Sequence, residues 1–496
     1  MIVDQLPALI PLLLLAGALL VPLCRRGSRV WPYAVALVAI GSSLACSVGA
    51  LVRTLSSGKA IHYYFGGWQP PIGIELIVDP LSAFFSILIS GIALFVLWHG
   101  RKLVSEQMPG KEVPFYSVVL LLLGGFSGLV LTGDLFNLYV FLEISSIATY
   151  ALVSIGSKKA PVAAFRYLIY GTVGASFYLL GVGFIFVSTG SLNMADVAAI
   201  LNVTGQTNAT LVGIVLIVIG LGVKMALFPL HGWLADAYTY ASSTASALVA
   251  PIGTKVAAYA MIRILFYGLE IDFVRTDTPI TTAILWLGAG GVLWGGLMAM
   301  AQNNFKRLLA YSSVSHLGYI ALGIGLASPL GLIAAVLHTL NHAVMKGCLF
   351  LISGSILSKT GQTNISEFQH SLRVRMPWTM GALTVAAISM IGLPPTAGFF
   401  SKWYLVLGLF EQQLWLMIGV IILSSLFGIV YFFRVLERVY LRPQEGEELN
   451  EEPVRDEVSA SMLWPVLIMS AGLIVLGFGN FIIVREIITP MLPVDL

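Results

Sequence analysis

Long apolar segments recur along the whole chain, and each can cross the hydrocarbon core of a bilayer, which is about 30 Å thick. Only α-helices and closed barrels satisfy every backbone polar group in lipid, and no alternating strand pattern competes with these segments. We therefore predict an all-α integral membrane protein with about 14 transmembrane helices. The predicted helices lie near 5–23, 31–52, 77–98, 114–132, 135–156, 163–188, 210–229, 244–266, 279–301, 308–327, 330–357, 378–410, 414–439 and 462–483.

The composition agrees with this class and excludes several others. Charged residues make up 10% of the chain, whereas soluble domains contain about 25%. The three cysteines, Cys24, Cys46 and Cys348, are far apart and form no CxxC motif, so neither a disulfide framework nor a metal cluster is indicated. No segment is large and polar enough for a nucleotide or flavin domain. We expect no cofactor, no redox chemistry of the chain's own and no binding to nucleic acid.

The loop charges predict the orientation. With the N-terminus outside, eighteen of the 27 basic residues fall on the cytoplasmic side, and this asymmetry predicts both termini on the outer side of a cell (inner) membrane. The eighteen are Arg25, Arg26, Arg29, Arg101, Lys102, Lys111, Lys158, Lys159, Arg166, Lys306, Arg307, Lys359, Arg373, Arg375, Arg434, Arg438, Arg442 and Arg455. Arg53, Lys59, Arg275 and Arg485 fall outside.

Four lysines lie deep inside predicted helices, namely Lys224, Lys255, Lys346 and Lys402. A charged side chain at the centre of a membrane helix costs roughly 3 kcal/mol even on the insertion scale. We therefore expect these lysines to have a function. Arg263 lies near a helix end, and we expect its guanidinium to reach the interface.

Two predicted helices contain a break of similar sequence. PLHGWLADAY (229–238) and PTAGFFSKWY (395–404) share a proline, a glycine, an aromatic residue and a final tyrosine. They place discontinuities in helices 7 and 12, at Pro229 and at Pro394 and Pro395. Two inverted five-helix repeats would produce this pattern, although two independent proline kinks would also do so. The repeats would cover 111–268 and 279–442, after N-terminal helices 1–3 in 1–110 and before a linker and helix 14 in 443–496.

Other polar residues lie at similar depth. Glu143 is placed near mid-membrane, where a carboxylate needs a cation, and Lys224 is its expected partner. The pair could carry ions or could be a static structural ion pair. His338, His342 and Lys346 are spaced i, i+4, i+8 and form one polar stripe. This spacing also suits zinc, but no third ligand accompanies the two histidines.

The sequence alone leaves the roles of several residues undecided. His316 is either a satisfied core histidine or a relay member, and Asp236 is either a helix cap or a proton-uptake group. His231, which follows the first break, is a further candidate for the relay. Asp79, Asp134 and Glu75 lie near outer helix ends, where we expect them to be solvated or capping.

Five motifs resemble the antiporter-like family. They are GDLFNLYVFLE, VKMALFPLHGWLADAY, FKRLLAYSSVSHLGY, HTLNHAVMKGCLFLISG and GLPPTAGFFSKW. This family includes the D and A subunits of Mrp Na+/H+ antiporters, three large subunits of respiratory complex I and the matching subunits of energy-converting hydrogenases. The similarity runs from roughly 75 to 440, and the first motif is most similar to the D-type member of the Mrp antiporters.

The resemblance implies a role for each deep residue. Glu143 and Lys224 would be the family's ion pair, Lys255 its central lysine, and Lys402 its outlet lysine. His338, His342 and Lys346 would form the polar stretch between them. The chain would then translocate protons, alone or coupled to Na+, beside other membrane subunits. The D-type member of an Mrp Na+/H+ antiporter is the first interpretation; the alternatives are a proton-pumping subunit of a complex I-type or hydrogenase-type complex and an inactive membrane scaffold.

Overall fold

The computed structural model describes residues 3–24, 30–205, 207–269, 278–441 and 454–493. Arg25, Arg26, Arg29, Arg275, Arg442 and most of the linker predicted before helix 14 lie outside the described residues. Thirteen helices in the described part are long and apolar enough to span a bilayer, so an all-α multi-pass membrane protein is confirmed. These helices are α1 (Leu6–Leu23), α2 (Val30–Ser57), α3 (Pro80–Gln107), α4 (Glu112–Leu131), α5 (Leu135–Ser154), α6 (Ala160–Thr189), α8 (Asn208–Met225), α10 (Ser243–Tyr267), α11 (Ile280–Met300), α12 (Phe305–Gly325), α13 (Pro329–Thr360), α17 (Trp415–Tyr440) and α18 (Ala460–Phe478).

Shorter elements complete the described chain. The short helices are α7 (Met194–Thr204), α9 (Leu234–Tyr240), α14 (Leu372–Arg375), α15 (Pro377–Ile391), α16 (Ala397–Glu411) and α19 (Asn480–Ile482). Single 3-10 turns occur at Val3–Gln5, Phe65–Gly67, Ile365–Glu367 and Thr489–Met491, and a π-helical segment covers Ile483–Ile488. The strands β1 (Ile61–Tyr64) and β2 (Glu75–Val78) pair antiparallel, with Ile61 opposite Val78.

Both predicted discontinuities are present. Helix α8 ends at Met225, the chain turns at Ala226 in the left-handed conformation, and α9 resumes at Leu234. The predicted span 378–410 is realised as α15 and α16, each of 15 residues, with left-handed Gly392 ending the first. Pro229, Pro394 and Pro395 lie inside these breaks, where a missing N–H and a fixed φ are tolerated. The inverted relation of the two five-helix units and their boundaries stay predictions.

The hairpin β1–β2 and the helix α7 were not expected from the sequence. They are joined by Glu75, which is 4% exposed. Its carboxylate accepts a hydrogen bond from Asn193 Nδ2 at 2.6 Å and lies 3.1 Å from His62 Nδ1. The expectation that Glu75 is solvated or capping was therefore wrong. Asp79 and Asp134 do cap helices, since each accepts a backbone N–H at the start of α3 or α5.

Helices α10, α12 and α13 form the centre of the molecule. They are the most completely buried of the long helices. Glycines allow α11 and α12 to approach closely: a Cβ at Gly318 would lie 2.6 Å from the carbonyl oxygen of Gly288. Such small-residue contacts are typical of helix pairs in membranes. The three central helices carry Lys255, His316 and the His338–Lys346 stripe, so the fold buries these polar groups together.

Arg263 has an ion-pair partner that the sequence did not indicate. Its guanidinium forms a two-pronged ion pair with Asp79, the N-cap of α3, with Nη1–Oδ2 at 2.6 Å and Nη2–Oδ1 at 2.8 Å. The side chains are 13% and 19% exposed. Arg263 lies on α10, so this pair joins the central helix to the N-terminal helices that the sequence assigned to a separate region.

Removing one member of this pair should destabilise the protein. Loss of one partner leaves a buried charge uncompensated, which costs about 3–5 kcal/mol. Arg263→Met should therefore lower the free energy of unfolding by that amount, measured as the folded fraction after heating in detergent. Asp79→Asn combined with Arg263→Met should recover part of the loss, because asparagine still caps α3. A double variant as unstable as the sum of the single variants would argue against a coupled pair.

Candidate functional site

The predicted ion pair between Glu143 and Lys224 is formed between α5 and α8. Lys224 Nζ lies 3.5 Å from Glu143 Oε1. The same ammonium donates hydrogen bonds to Ser146 Oγ at 2.6 Å and to Tyr150 OH at 3.2 Å. Glu143, Ser146 and Tyr150 are spaced i, i+3, i+7 and share one face of α5. Sequence reasoning missed the two hydroxyls, although this spacing was a usable signal.

The break after α8 fixes the position of Lys224. The lysine is the second-last residue of the helix, where unpaired carbonyls favour a positive charge. One carbonyl near this end, that of Val223, accepts a hydrogen bond from Trp233 Nε1 at 2.9 Å. Trp233 directly precedes α9, so this hydrogen bond ties the start of α9 to the end of α8.

A small cavity lined by both polar and apolar side chains lies beside Lys224. Its volume is about 30 Å³, which holds one or two water molecules. Ser145, Ser146 and Thr149 of α5 line one side. Gly253, Val256 and Ala257, which share one face of α10, line the other, whereas Lys255 is not among the lining residues. The cavity therefore extends from the ion pair toward the helix that carries the central lysine.

Lys255 is buried in the middle of the protein. It is 1% exposed, and its Nζ donates to the carbonyl oxygen of Ala250 at 2.7 Å. Pro251 lacks the N–H that would pair with Ala247, so the carbonyl that Lys255 binds is not the one freed by the proline. Lys255 interacts electrostatically with His316, His338 and His342.

Three histidine rings stack between α12 and α13. His316 Nδ1 lies 3.1 Å from His338 Nε2. The ring centroid of His316 lies 5.2 Å from that of His338 and 4.9 Å from that of His342. Among the described residues, neither ring nitrogen of His342 has a hydrogen-bond partner. His316, which the sequence left open, is thus in direct contact with the predicted stripe.

The histidine cluster contacts the residue that precedes Lys402. His338 Nδ1 lies 2.8 Å from the hydroxyl oxygen of Ser401, which directly precedes Lys402. Lys402 is 7% exposed and donates to the Ile391 carbonyl at 2.9 Å and to Ser425 Oγ at 3.2 Å. Its ammonium also lies over the Tyr319 ring, 4.9 Å from the centroid. No thick apolar layer separates this lysine from the histidines.

The Lys346 side chain is directed away from the histidines and Lys402. Its Nζ donates to the carbonyl oxygen of Leu309 and to Ser312 Oγ, both at 2.6 Å. Both acceptors belong to the first half of α12. The lysine is fully buried, and it interacts electrostatically with His316 and His342. It therefore branches from the histidine cluster toward the N-terminal end of α12.

Two further candidates for the proton relay, His231 and Asp236, lie apart from the lysines and histidines described above. His231 is half-buried and stacks on Phe228, with ring centroids 5.5 Å apart. Asp236 pairs with Arg166 at 2.9 Å and with Arg307 at 3.0 Å. The structure gives Asp236 ion-pair partners on α6 and α12, which were not foreseen for it.

The arrangement of the histidines does not resemble a metal site. The planes of the three rings lie within 15–17° of one another, so the ring nitrogens do not converge on one point. Within the ranges that the structure describes, no group of three or more His, Cys, Asp or Glu side chains is placed to hold a metal ion.

One buried lysine was missed. Lys306 was assigned to a loop, but it lies in the first turn of α12, is 6% exposed and donates to the Ala241 carbonyl at 2.6 Å. The available signal was its place in FKRLLAYSSVSHLGY, the motif that also contains His316.

Comparisons with known proteins identify the family of the chain. A family model described as NADH:quinone oxidoreductase/Mrp antiporter, TM matches residues 132–428, more than half of the chain. The N-type member of the NADH-quinone oxidoreductase of Desulforudis audaxviator is 46% identical over 99% of both chains. The D-type member of the Na+/H+ antiporter of Bacillus subtilis is 30% identical over 96% of this chain and 93% of its own.

A similar fold is known from an archaeal respiratory complex. One chain of the membrane-bound sulfane sulfur reductase superposes with a TM-score of 0.89 and 30% identity, covering 98% of this chain and 96% of its own. The chain described here therefore belongs to the NADH:quinone oxidoreductase/Mrp antiporter family.

Proposed function

We propose that this chain is a proton-translocating subunit of a multi-subunit membrane complex. The path would run from Glu143 and Lys224 through Lys255 and the histidines to Lys402. The observation that carries this proposal is the contact of His338 with both His316 and Ser401, at 3.1 and 2.8 Å. These contacts link the centre of the molecule to the residue next to Lys402.

The ion pair would control release of the proton. A carboxylate beside Lys224 offsets part of the cost of a buried ammonium. If Glu143 is drawn to another charge, that compensation is lost and the lysine gives its proton to the neighbouring cavity. Glu143 can respond to a neighbour because its side chain is 26% exposed. It lies between Val140 and Ile147, two exposed apolar residues of α5 that a partner protein can cover.

The groups along the path suit protons better than Na+. Imidazole rings can accept a proton on one nitrogen and release it from the other, so His316 and His338 can pass a proton toward Ser401. Ammonium groups repel a sodium ion, and lysines rather than carboxylates dominate this row. We therefore propose proton transport through this chain, with any Na+ movement carried elsewhere in the complex.

A redox-driven complex is the host that the comparisons favour. The relative from Desulforudis audaxviator, part of a NADH-quinone oxidoreductase, is 46% identical over almost the whole chain. The Bacillus subtilis antiporter protein is 30% identical, and its full-length match keeps an Mrp-type antiporter as the second candidate. Identification of the co-purifying proteins distinguishes the two. Quinone-reducing or hydrogenase-like partners support the redox complex, whereas small membrane proteins alone support the antiporter.

We also propose an orientation for the chain. The face bearing Arg101, Lys102, Lys158, Lys159 and Arg307, called the basic face below, would be cytoplasmic by the positive-inside rule. Both termini would then lie on the outer side of the cell membrane.

Replacing either member of the ion pair should stop transport. Glu143→Gln and Lys224→Ala should lower the rate of proton translocation by about 100-fold or more, measured with a pH-sensitive dye in inverted vesicles containing the complete complex. Lys102→Ala is a matched control, because Lys102 is an exposed lysine on α3. Near wild-type transport by either pair variant, at normal levels of assembled complex, would favour the inactive scaffold.

His338 provides a second test of the path. His338→Ala should slow proton translocation by roughly tenfold or more, because it removes the group that contacts both His316 and Ser401. His62→Ala, in the half-exposed hairpin, is the control histidine. Stoichiometric zinc in chelator-washed complex, lost together with transport in His338→Ala, would instead support a metal site.

A further inference from the structure

A cavity opens on the basic face next to the buried Lys306. Its volume is about 420 Å³. It lies where α3 ends, where α9 connects to α10, and where α12 begins. Its lining includes Lys306, Ser157, Thr239, Ser242, Ser243 and Thr363. Met108, Ile155 and Leu357 add apolar surface, but the polar side chains offer hydrogen-bond partners, so water entering the cavity can reach the lysine.

Lys306 has an unusual set of neighbours for a lysine near a membrane surface. Its Nζ donates to the Ala241 carbonyl at 2.6 Å, at the end of α9. No carboxylate in the described parts of the chain lies within ion-pair distance of it, whereas the adjacent Arg307 pairs with Asp236. A cation capping a helix C-terminus is the structural explanation. A cap of this kind would not need to be buried beside a cavity of this size.

Lys306 and the two groups that bind the Lys346 ammonium belong to the same part of α12. Leu309 and Ser312, which accept hydrogen bonds from Lys346 Nζ, follow Lys306 by three and six residues. This separation corresponds to a rise of about 9 Å along the helix axis between the backbones of Lys306 and Ser312. Two or three hydrogen-bonded groups or water molecules can cover that distance.

Buried polar atoms beside the cavity are compatible with hydration. In the described structure, the hydroxyls of Ser243 and Thr244 and the Nδ1 atom of His99 are buried without a partner. His99 Nε2 lies 3.0 Å from Ser355 Oγ on α13. An unsatisfied buried polar group costs about 1–3 kcal/mol, and buried water commonly satisfies such groups. These atoms extend polar surface from the cavity toward α13, which carries Lys346.

We propose that Lys306 takes up protons from the cavity on the basic face and passes them to Lys346, from which they join the path at His342. This inference rests on the proposed function, since it assigns the uptake branch of the same path. It explains why Lys346 turns toward the beginning of α12 rather than toward Lys402. It also assigns a role to a lysine that the ion pair and the histidine row do not use.

The test uses the complete complex in inverted vesicles, whose exposed side is the cytoplasmic one. Lys306→Ala should reduce proton translocation by about tenfold or more. Lys306→Arg should be equally impaired, because arginine can still donate to the Ala241 carbonyl but does not release its proton. Added ethylamine should restore transport in Lys306→Ala by entering the cavity, whereas added guanidinium should not. Lys102→Ala again serves as the control, and the amount of assembled complex is measured for each variant.

Two results would overturn the inference. One is wild-type transport by Lys306→Ala, and the other is recovery by arginine or guanidinium as complete as by ethylamine, which would make Lys306 a helix cap. The Glu143→Gln variant separates this outcome from failure of the proposed function. If Glu143→Gln is inactive while Lys306→Ala is normal, only the uptake branch fails; if both transport normally, the proposed path itself fails.

Discussion

The cost of keeping a lysine ammonium inside the membrane governs the arrangement of this molecule. Lys224 alone among the described deep lysines has a carboxylate within ion-pair distance. Lys255, Lys346 and Lys402 bind backbone carbonyls instead, at 2.7, 2.6 and 2.9 Å. A carbonyl stabilises the ammonium less than a full negative charge does. Such lysines are held in place without being fixed in the charged state, which is the condition that a proton carrier requires.

The helix breaks supply some of these oxygen atoms. The last carbonyls of a helix have no intrahelical partner. Lys402 binds the carbonyl of Ile391, the last residue of α15, and Lys306 binds that of Ala241, directly after α9. Lys224 lies at the end of α8. The two discontinuities therefore place polar backbone beside Lys402 and near Lys224, at depths where an uninterrupted helix would offer none.

The sequence predicted features that depend on local pattern. Apolar length identified the helices, and proline with glycine identified the breaks around Pro229 and Pro395. The depth of Lys224, Lys255, Lys346 and Lys402 followed from their position within apolar runs. Except for the Glu143–Lys224 pair, contacts between distant segments could not be predicted in this way. Ser401 meets His338, Asn193 meets Glu75, and Asp79 meets Arg263 only because the fold brings separate helices together. Lys306 was misplaced because two basic neighbours at a helix start are typical of a loop, and only packing against Ala241 buries the first.

The central claim is that the deep lysines belong to one connected proton path, and the connection around Lys255 tests it most directly. A cryo-EM map of the complete complex that resolves water would show it, recorded both at rest and during turnover. Our account predicts ordered water in the cavity beside Lys224, reaching Lys255, and further water between Lys255 and the unpartnered nitrogens of His342. Apolar side chains packed without water on either side of Lys255, in both states, would contradict it.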